Sequence, residues 1–396
     1  MARFRPADER ALAEVVVAAV AREETLELVA GGSKRGLGRP APAPHLLDLS
    51  AFSGIRAYEP AERRFTAGAA TPLGEIEAAL AARGQCLAFE PPDWRALLGA
   101  GAARPTLGGV IACNLSGPRR VRAGAARDHF VGFRAVSGRA ETFTAGGAAA
   151  KNVAGHDLCK LVAGSYGTLC ALTEVTVTVW PSAAAEASLL LSGLDDAAAQ
   201  RAMAAALDGS QEVSGAAHLP AGESGRGRPL TLLRLEGPAP SLAARAAALR
   251  GALASFAVAE TAEGEDSARL WRAVRDLAPF AGCGGRAVWR LSLPAAAGPA
   301  VAAAAGAMGA AHFFDWGGLL LWLALPEAGD GGAAAIRAAL ARSGGHATLI
   351  RASDGLRAAV PVFQPQSPGL AARGARVKSA FDPKRIFNRG RMYADL

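Results

Sequence analysis

Residues 151–180, KNVAGHDLCKLVAGSYGTLCALTEVTVTVW, decide how this chain is read. They spell a short Asp-led helix, a Gly-Ser loop and a strand in succession. Asp157 is placed to N-cap the apolar turn 158–163, where its carboxylate meets an otherwise orphaned backbone amide. Gly164 follows, the residue type that best ends a helix in the left-handed conformation. Ser165, Tyr166, Gly167 and Thr168 then offer backbone N–H groups and hydroxyls under little bulk. The alternation of Thr173, Val175, Val177 and Val179 predicts a half-buried strand, stopped by Pro181. Together these features suit a phosphorylated cofactor, although such a loop also serves as ordinary turn chemistry.

Two more segments shift that balance. Leu28 leads a short strand into a Gly-rich turn holding Gly31, Gly32, Ser33, Lys34, Arg35, Gly36, Leu37 and Gly38. Successive N–H groups of such a turn form a nest for an anion, and each bond to a charged oxygen contributes about 1.5–3 kcal/mol. The turn is not a P-loop, because no Lys-Ser/Thr pair closes it, and it does not read as G-x-G-x-x-G. Pro105-Thr106-Leu107-Gly108-Gly109 comes next, followed by Asn114-Leu115-Ser116-Gly117-Pro118. Paired glycines let another backbone approach where a Cβ would block it. Asn152, Asp157, Ser165, Gly167, Thr168, Val175 and Asn388 complete the candidate cofactor-binding set.

The order Gly-Gly-Ser-Lys, Thr-Leu-Gly-Gly, Lys-Asn-Val-Ala-Gly-x-Asp, Gly-Ser-x-Gly-Thr-Leu and Phe381-Asp-Pro…Phe387-Asn-x-Gly-Arg-Met392 resembles the PCMH-type, vanillyl-alcohol-oxidase-like FAD flavoproteins. Within them it resembles the FAD-binding E subunit of bacterial glycolate oxidase. Phe89-Glu-Pro-Pro92 and Ser116-Gly-Pro-Arg-Arg120 add to the likeness. Cys170, His156 and Arg389 depart from the usual Gly, Tyr and Pro. The resemblance implies an α+β chain: a PCMH-type two-part FAD-binding domain under a ferredoxin-like cap. It implies FAD as cofactor, a homologous D-type flavin subunit and an iron–sulfur F-type subunit as partners, and a small 2-hydroxy acid as substrate. Electrons would pass from glycolate through flavin to the iron–sulfur subunit.

Residue usage points to the same loops. The chain has only five Lys (34, 151, 160, 378, 384) and three Asn (114, 152, 388). All eight fall within 31–38, 104–120, 151–175 and 376–393, either by chance clustering on loops or because ligand chemistry keeps them there.

With 396 residues, 51% hydrophobic and 20% charged, the chain has room for two or three domains with real cores. A net charge of +8 raises the question of nucleic acid, but the arginines are scattered and aromatics are 6%. No basic stripe follows, so solvated surface or an acidic partner is the better reading. Five Cys without a C-x-x-C encode neither a zinc site nor an iron–sulfur cluster, and no metal site is expected. Asp8, Glu9 and Glu14 interrupt the basic start before any apolar run, so a cytoplasmic protein is expected, with peripheral docking on a membrane complex left open.

Patterning divides the chain into 1–182, 186–351 and 352–396. The first part reads as a helix over 8–22, strands over 26–30, 45–49 and 64–70, and a helix capped by Thr71 with Pro72 at its first position. A strand pair around Gly138-Arg139 precedes the long strand. Residues 186–351 repeat the order βαββαβ twice around a linking helix at 267–277, which is the split-βαβ plan of a ferredoxin-like cap. A helix over 370–381 is expected to carry the tail back to the first domain.

No catalytic side chain stands out. Relatives that oxidise 2-hydroxy acids share a metal-binding Gly-Asp-Gly-Asn-Leu-His strand, but the matching strand 315–323, DWGGLLLWL, has neither His nor Asn. His129 beside Asp128 offers a base–orienter pair by adjacency alone. Trp316 and Trp322 would cover a flavin, an interface or the core. The Gly-rich loop has no His or Cys to attach a flavin, so non-covalent FAD is expected. A subunit that holds FAD beside its partners fits best. A free-standing FAD-dependent 2-hydroxy-acid dehydrogenase of D-lactate type and a non-catalytic assembly subunit are the alternatives.

Overall fold

The computed structural model describes residues 2–146, 157–394 and 396. Asn152 and His156 lie outside the described residues. The opening helix Glu9–Arg22 is capped by Asp8, whose side chain accepts from the Ala11 amide at 2.8 Å. Its Leu12, Val16 and Ala19 recur at helical spacing and are buried. That stripe packs with Leu26, Leu47, Val136, Ala171, Ile386 and Phe387 into one core. Strands Ala2–Phe4 and Leu26–Val29 flank His45–Asp48 in a parallel sheet. The first of them is too short to show a period and is tied in by Arg3, which bonds the buried Asp48 at 2.6 Å.

A five-stranded antiparallel sheet follows, in the order Ile55–Glu59, Arg64–Gly68, Cys170–Thr178, Phe130–Ser137 and Thr142–Gly146. The strand expected to be half-buried is buried on both faces, because it is the central strand. Its register against Phe130–Ser137 shifts between Arg134↔Glu174 and Ala135↔Leu172. That bulge moves the apolar side from Cys170 and Leu172 to Val175 and Val177. A second correction concerns Thr71. The helix Leu73–Ala81 starts after Pro72, and Thr71 does not cap it. Its buried hydroxyl donates to the Gly68 carbonyl at 2.7 Å and accepts from the Gly54 amide at 2.9 Å, which leaves nothing for the helix.

The remaining strands form one eight-stranded sheet. Its order is Ala259–Glu263, Ala185–Ser192, Leu230–Gly237, Gly215–Leu219, Ala311–Asp315, Leu320–Pro326, Arg286–Ser292 and His346–Arg351. Each βαββαβ half arranges its four strands as fourth, first, third, second, and the halves meet through their second strands at His218↔Phe314. Asp196 spans that seam, within 2.8 Å of His312 and 3.3 Å of His218. His312 is thus a hydrogen-bonded structural residue. The supposed strand 315–323 is a hairpin: Asp315 ends one strand, Trp316–Gly318 turn, and Leu320 starts the next. Two adjacent glycines at φ 66° and 90° make that reversal possible.

The two faces of this sheet do different work. Leu189, Leu233, Trp289, Leu321 and Leu323 pack under its own helices. Leu190, Leu232, Val288, Trp322 and Ala324 alternate with them and join the same core as Phe65, Leu107, Val175 and Phe89. The sheet therefore sits on the first part of the chain through a continuous apolar contact. Polar groups fix its register there. Glu90 accepts from Arg234 at 2.8 and 3.1 Å and from the Arg119 amide at 2.8 Å, and Arg119 pairs with Glu236 at 2.9 Å.

The tail helix Pro368–Phe381 brings the chain back to the first sheet. Lys378, buried, donates to the Thr168 carbonyl at 2.6 Å, the Phe387 carbonyl at 3.0 Å and the Asp382 carboxylate at 2.7 Å. Asp382 in turn accepts from the Ile386 and Phe387 amides at 3.0 and 2.9 Å. This closed network explains the Phe-Asp-Pro…Phe-Asn run as a lock on the tail. Among the described residues, no helix is long and apolar enough to cross a membrane.

Candidate cofactor cleft

Three chain segments separated by long stretches of sequence converge on an open cleft of about 120 Å³. Gly31, Gly32, Ser33, Lys34 and Arg35 form one wall, Thr106, Gly108 and Gly109 a second, and Ser165, Tyr166 and Gly167 a third. Asn388 and Arg391 from the tail close it, and Leu28, Val162 and Leu172 supply apolar lining.

The glycines divide their work. A side chain on Gly31 would overlap the Arg104 carbonyl, and one on Gly108 would sit 2.7 Å from the Ala69 carbonyl oxygen. Both positions serve backbone contact, consistent with the Arg104 amide donating to Gly31 at 2.9 Å and the Gly108 amide to Ala69 at 2.8 Å. Gly109 is different. A Cβ there meets only the Thr106 hydroxyl at 3.2 Å and the Lys34 side chain at 3.5 Å, so its missing side chain leaves space beside Lys34.

Amide accounting separates the loops further. Leu107, Gly108 and Gly109 amides are taken by Thr71, Ala69 and the Thr106 hydroxyl, so this turn shapes the cleft without offering donors. Ser165, Tyr166 and Thr168 amides are taken as well, by Val162, Ala112 and Ser165. Among the described residues the amides of Lys34 and Gly167 have no acceptor, while that of Ser33 faces the Arg104 carbonyl across the Gly32–Arg104 bridge. Those two, with the Ser33 hydroxyl and the charges nearby, are the donors that an anionic ligand would meet.

Two cations line the same space. Lys34 donates to the Ser33 hydroxyl at 3.2 Å, and among the described residues no carboxylate touches it. Burial pushes its ammonium below the ordinary lysine value. Arg391 spends its guanidinium on the Lys34 and Arg35 carbonyls at 2.9 and 3.1 Å, with Glu27 4.0 Å away. Burial lowers its pKa too. A cleft with desolvated cations, unpaired amides and small-residue walls fits a phosphate-bearing cofactor, since each buried charge there gains from an anion. The Cys113 thiol at the wall is pushed up by burial.

Of the residues singled out from sequence, Gly31, Gly32, Ser33, Lys34, Thr106, Gly108, Gly109, Ser165, Gly167 and Asn388 meet here. The others stand behind or beside the cleft. Gly36 gives its carbonyl to Arg357, and Leu37, Leu107 and Val175 are buried in the core. Asn114 accepts from the Arg127 amide, Ser116 from the Ala126 amide, and the Gly117 carbonyl from Trp316. Asp157 caps its helix through the Lys160 amide at 3.0 Å, and Gly164 takes φ 82° as expected. Thr168 folds its hydroxyl onto the Ser165 carbonyl at 2.7 Å. Arg391 and Cys113 were not singled out, and Tyr166 was read only as part of its loop and not as a site residue. Arg391 lay inside the quoted tail motif and Tyr166 inside the loop motif, which was the available signal.

Two other expectations change. His129 does not pair with Asp128. Its ring nitrogens meet the Thr178 hydroxyl at 3.0 Å and the Ala123 carbonyl at 2.9 Å, while Asp128 caps the Ala125 amide. Trp316 and Trp322 both lie at the junction, where Trp316 donates to the Gly117 carbonyl and Trp322 stands edge-on to Trp94.

Asn388 ties the tail to two walls. It accepts from the Leu28 amide at 3.0 Å and donates to the Tyr166 carbonyl at 2.8 Å. Asn388→Ala would orphan both groups at a cost of about 1–3 kcal/mol each. A urea titration should show the loss of stability, and unchanged unfolding would mean that the tail is held elsewhere.

A family profile described as "FAD binding domain" matches residues 2–146. Over 391 residues the chain is 34% identical to "Glycolate oxidase subunit GlcE" of Escherichia coli (strain K12), covering 98% of both chains. The chain belongs to this family of FAD-binding oxidoreductase subunits. A partial likeness, 29% identity over 163 residues, joins it to a "D-lactate dehydrogenase" of Archaeoglobus fulgidus, spanning 41% of this chain and 35% of that one. Among solved structures, p-cresol methylhydroxylase shares the fold with a TM-score of 0.74 at 13% identity, covering 99% of this chain and 88% of that one. The PCMH-type fold expected from the motifs is thus the fold found.

Proposed function

We propose that the chain is the FAD-holding subunit of a multisubunit enzyme that oxidises glycolate to glyoxylate. The cleft carries this reading, because two unpaired amides, the partly buried Lys34 and the buried Arg391 surround space kept open by glycine. End-to-end likeness to a subunit named for glycolate oxidase supports glycolate as the substrate. FAD would lie against Ser33, Lys34, Gly109, Gly167 and Arg391 and supply the two-electron acceptor. The chain's own residues then neutralise phosphate, exclude water and hold the tail closed. A homologous D-type flavin subunit and an F-type iron–sulfur subunit would complete the assembly, since no Cys pattern here holds a cluster. Peripheral attachment to the inner face of a membrane would come through that complex.

FAD is held without a covalent bond in this reading. Acid precipitation of the yellow protein is expected to leave flavin in the supernatant. A yellow pellet under a colourless supernatant would overturn it. Co-expression with the partner subunits should give glycolate-dependent dye reduction. The partial likeness to a D-lactate dehydrogenase favours a second reading as a free-standing dehydrogenase. Rapid anaerobic bleaching of the flavin band by glycolate in the lone chain would select it.

A further inference from the structure

Two arginines at the junction lie against one indole ring, and among the described residues neither is bonded to a carboxylate. Arg120 follows the Ser116-Gly-Pro run of the first part, and Arg290 belongs to the cap strand Arg286–Ser292. Their guanidinium carbons lie 4.4 and 5.0 Å from the centre of the Trp316 ring. Among the described residues neither guanidinium makes a hydrogen bond or ion pair to a carboxylate. By contrast, Arg119 and Arg234, their sequence neighbours or cap counterparts, are both saturated by Glu90 and Glu236.

The acids around the pair, Asp128 for Arg120 and Asp315 for Arg290, act through space and bond to neither guanidinium. Asp315, the nearest acid to Arg290, is buried, has its carboxyl pushed up to about 7 by that burial, and is tied to the Trp316 amide at 2.7 Å. Burial and the Arg120 charge hold Arg290 down at about 10, so it stays cationic at neutral pH. Arg290 shares its sheet face with Val288 and Trp322, the face turned toward the first part of the chain. Tyr166, which lines the cofactor cleft, feels the Arg290 charge. Arg120 and Arg290 each keep part of their surface exposed, and His346 on the neighbouring strand is exposed as well, so the pair is not sealed from solvent.

We infer that Arg120 and Arg290, stacked on Trp316, form a carboxylate-binding subsite at the junction, next to the Tyr166 wall of the cofactor cleft. The ligand class is a small carboxylate such as a two-carbon hydroxy acid. Guanidinium groups hold a carboxylate by paired, charge-assisted N–H donors. The indole ring stiffens both side chains by cation–π contact, so little freedom is lost on binding. This subsite rests on the reading above that FAD and a hydroxy acid meet in this chain. It also answers the missing metal-binding strand: the anchor is organic, supplied half by each part of the chain.

The test is titration of the purified full-length chain, with its FAD, by oxalate, while the visible flavin band is followed. A saturable band shift is expected with oxalate and none with neutral oxamide. Arg120→Met and Arg290→Met should each weaken oxalate at least tenfold at unchanged flavin content. Arg290→Lys, which keeps the charge but not the fork, should fall between. Oxalate affinity equal in wild type and variants, or an equal response to oxamide, would overturn the inference. Absence of a saturable oxalate shift in flavin-loaded wild type would overturn it as well. Purified wild type without flavin would instead overturn the functional reading beneath it, which keeps the two failures apart.

Discussion

Gly109→Val is expected to give a folded protein that does not retain FAD. The added side chain would stand about where the cleft is kept open, with its Cβ 3.2 Å from the Thr106 hydroxyl and 3.5 Å from the Lys34 side chain. Nothing in the backbone obstructs it, so the helix Leu107–Cys113 should persist. Gly108→Val supplies the contrast one residue away. Its Cβ would be 2.7 Å from both the Ala69 carbonyl oxygen and the Ala69 Cβ, and overpacking of that kind costs about 1–3 kcal/mol or more. The two variants should therefore separate: one loses flavin at native stability, the other loses stability. Flavin content and a thermal melt on each decide the matter. Full flavin content in Gly109→Val would show that this wall does not touch the cofactor.

Glu90→Ala should cause the largest loss of stability. The carboxylate serves Arg234, 1% exposed, and the Arg119 amide, so its removal strands a buried guanidinium whose remaining acid, Glu236, is 3.6 Å away. Breaking such a buried pair costs about 3–5 kcal/mol. Arg122→Ala removes a bridge to Glu212 in which both side chains are half exposed, and should cost less than about 1 kcal/mol. The acid dependence follows the same logic. Burial would raise the Glu90 carboxyl, but Arg234 and Arg119 outweigh it and hold the group at about 2, against an ordinary 4.5. A depressed folded-state value contributes stability that is complete above about pH 4.5 and disappears as pH falls toward 2. Wild type should lose stability across that window, and Glu90→Ala should lack that part of the decline. Parallel acid profiles would assign the junction's strength to its apolar contacts alone.

Much of the fold is legible along the chain. Both βαββαβ runs of the cap show their apolar periods, and Asp8 and Asp157 announce the helices they cap, because those signals act within one or two turns. Strand exposure is less legible. The run from Thr173 to Val179 has a clean alternation, yet its two neighbours in the sheet bury both faces and a bulge shifts the pattern. Thr71 misled for a similar reason. A Thr-Pro pair before an apolar run reads as a cap, but the hydroxyl was drawn to a turn seventeen residues upstream in the chain.

The sequence by itself determined the element order, the doubled cap and the three small-residue loops, since local backbone preference and apolar period are properties of neighbouring residues. It also singled out Lys34 and Gly109, both of which line the cleft, through the rarity of lysine and the pairing of glycines. Only the tertiary structure decided what each residue faces. It assigned Gly108 to backbone contact and Gly109 to the cleft, although the two are adjacent. It brought Arg391 to Lys34 across 357 positions, and placed Glu90 against Arg234 across 144. It also left Arg120 and Arg290 beside one tryptophan, with no carboxylate bonded to either among the described residues. Charge pairing of this kind depends on which faces of two distant sheets meet, and no local pattern encodes that.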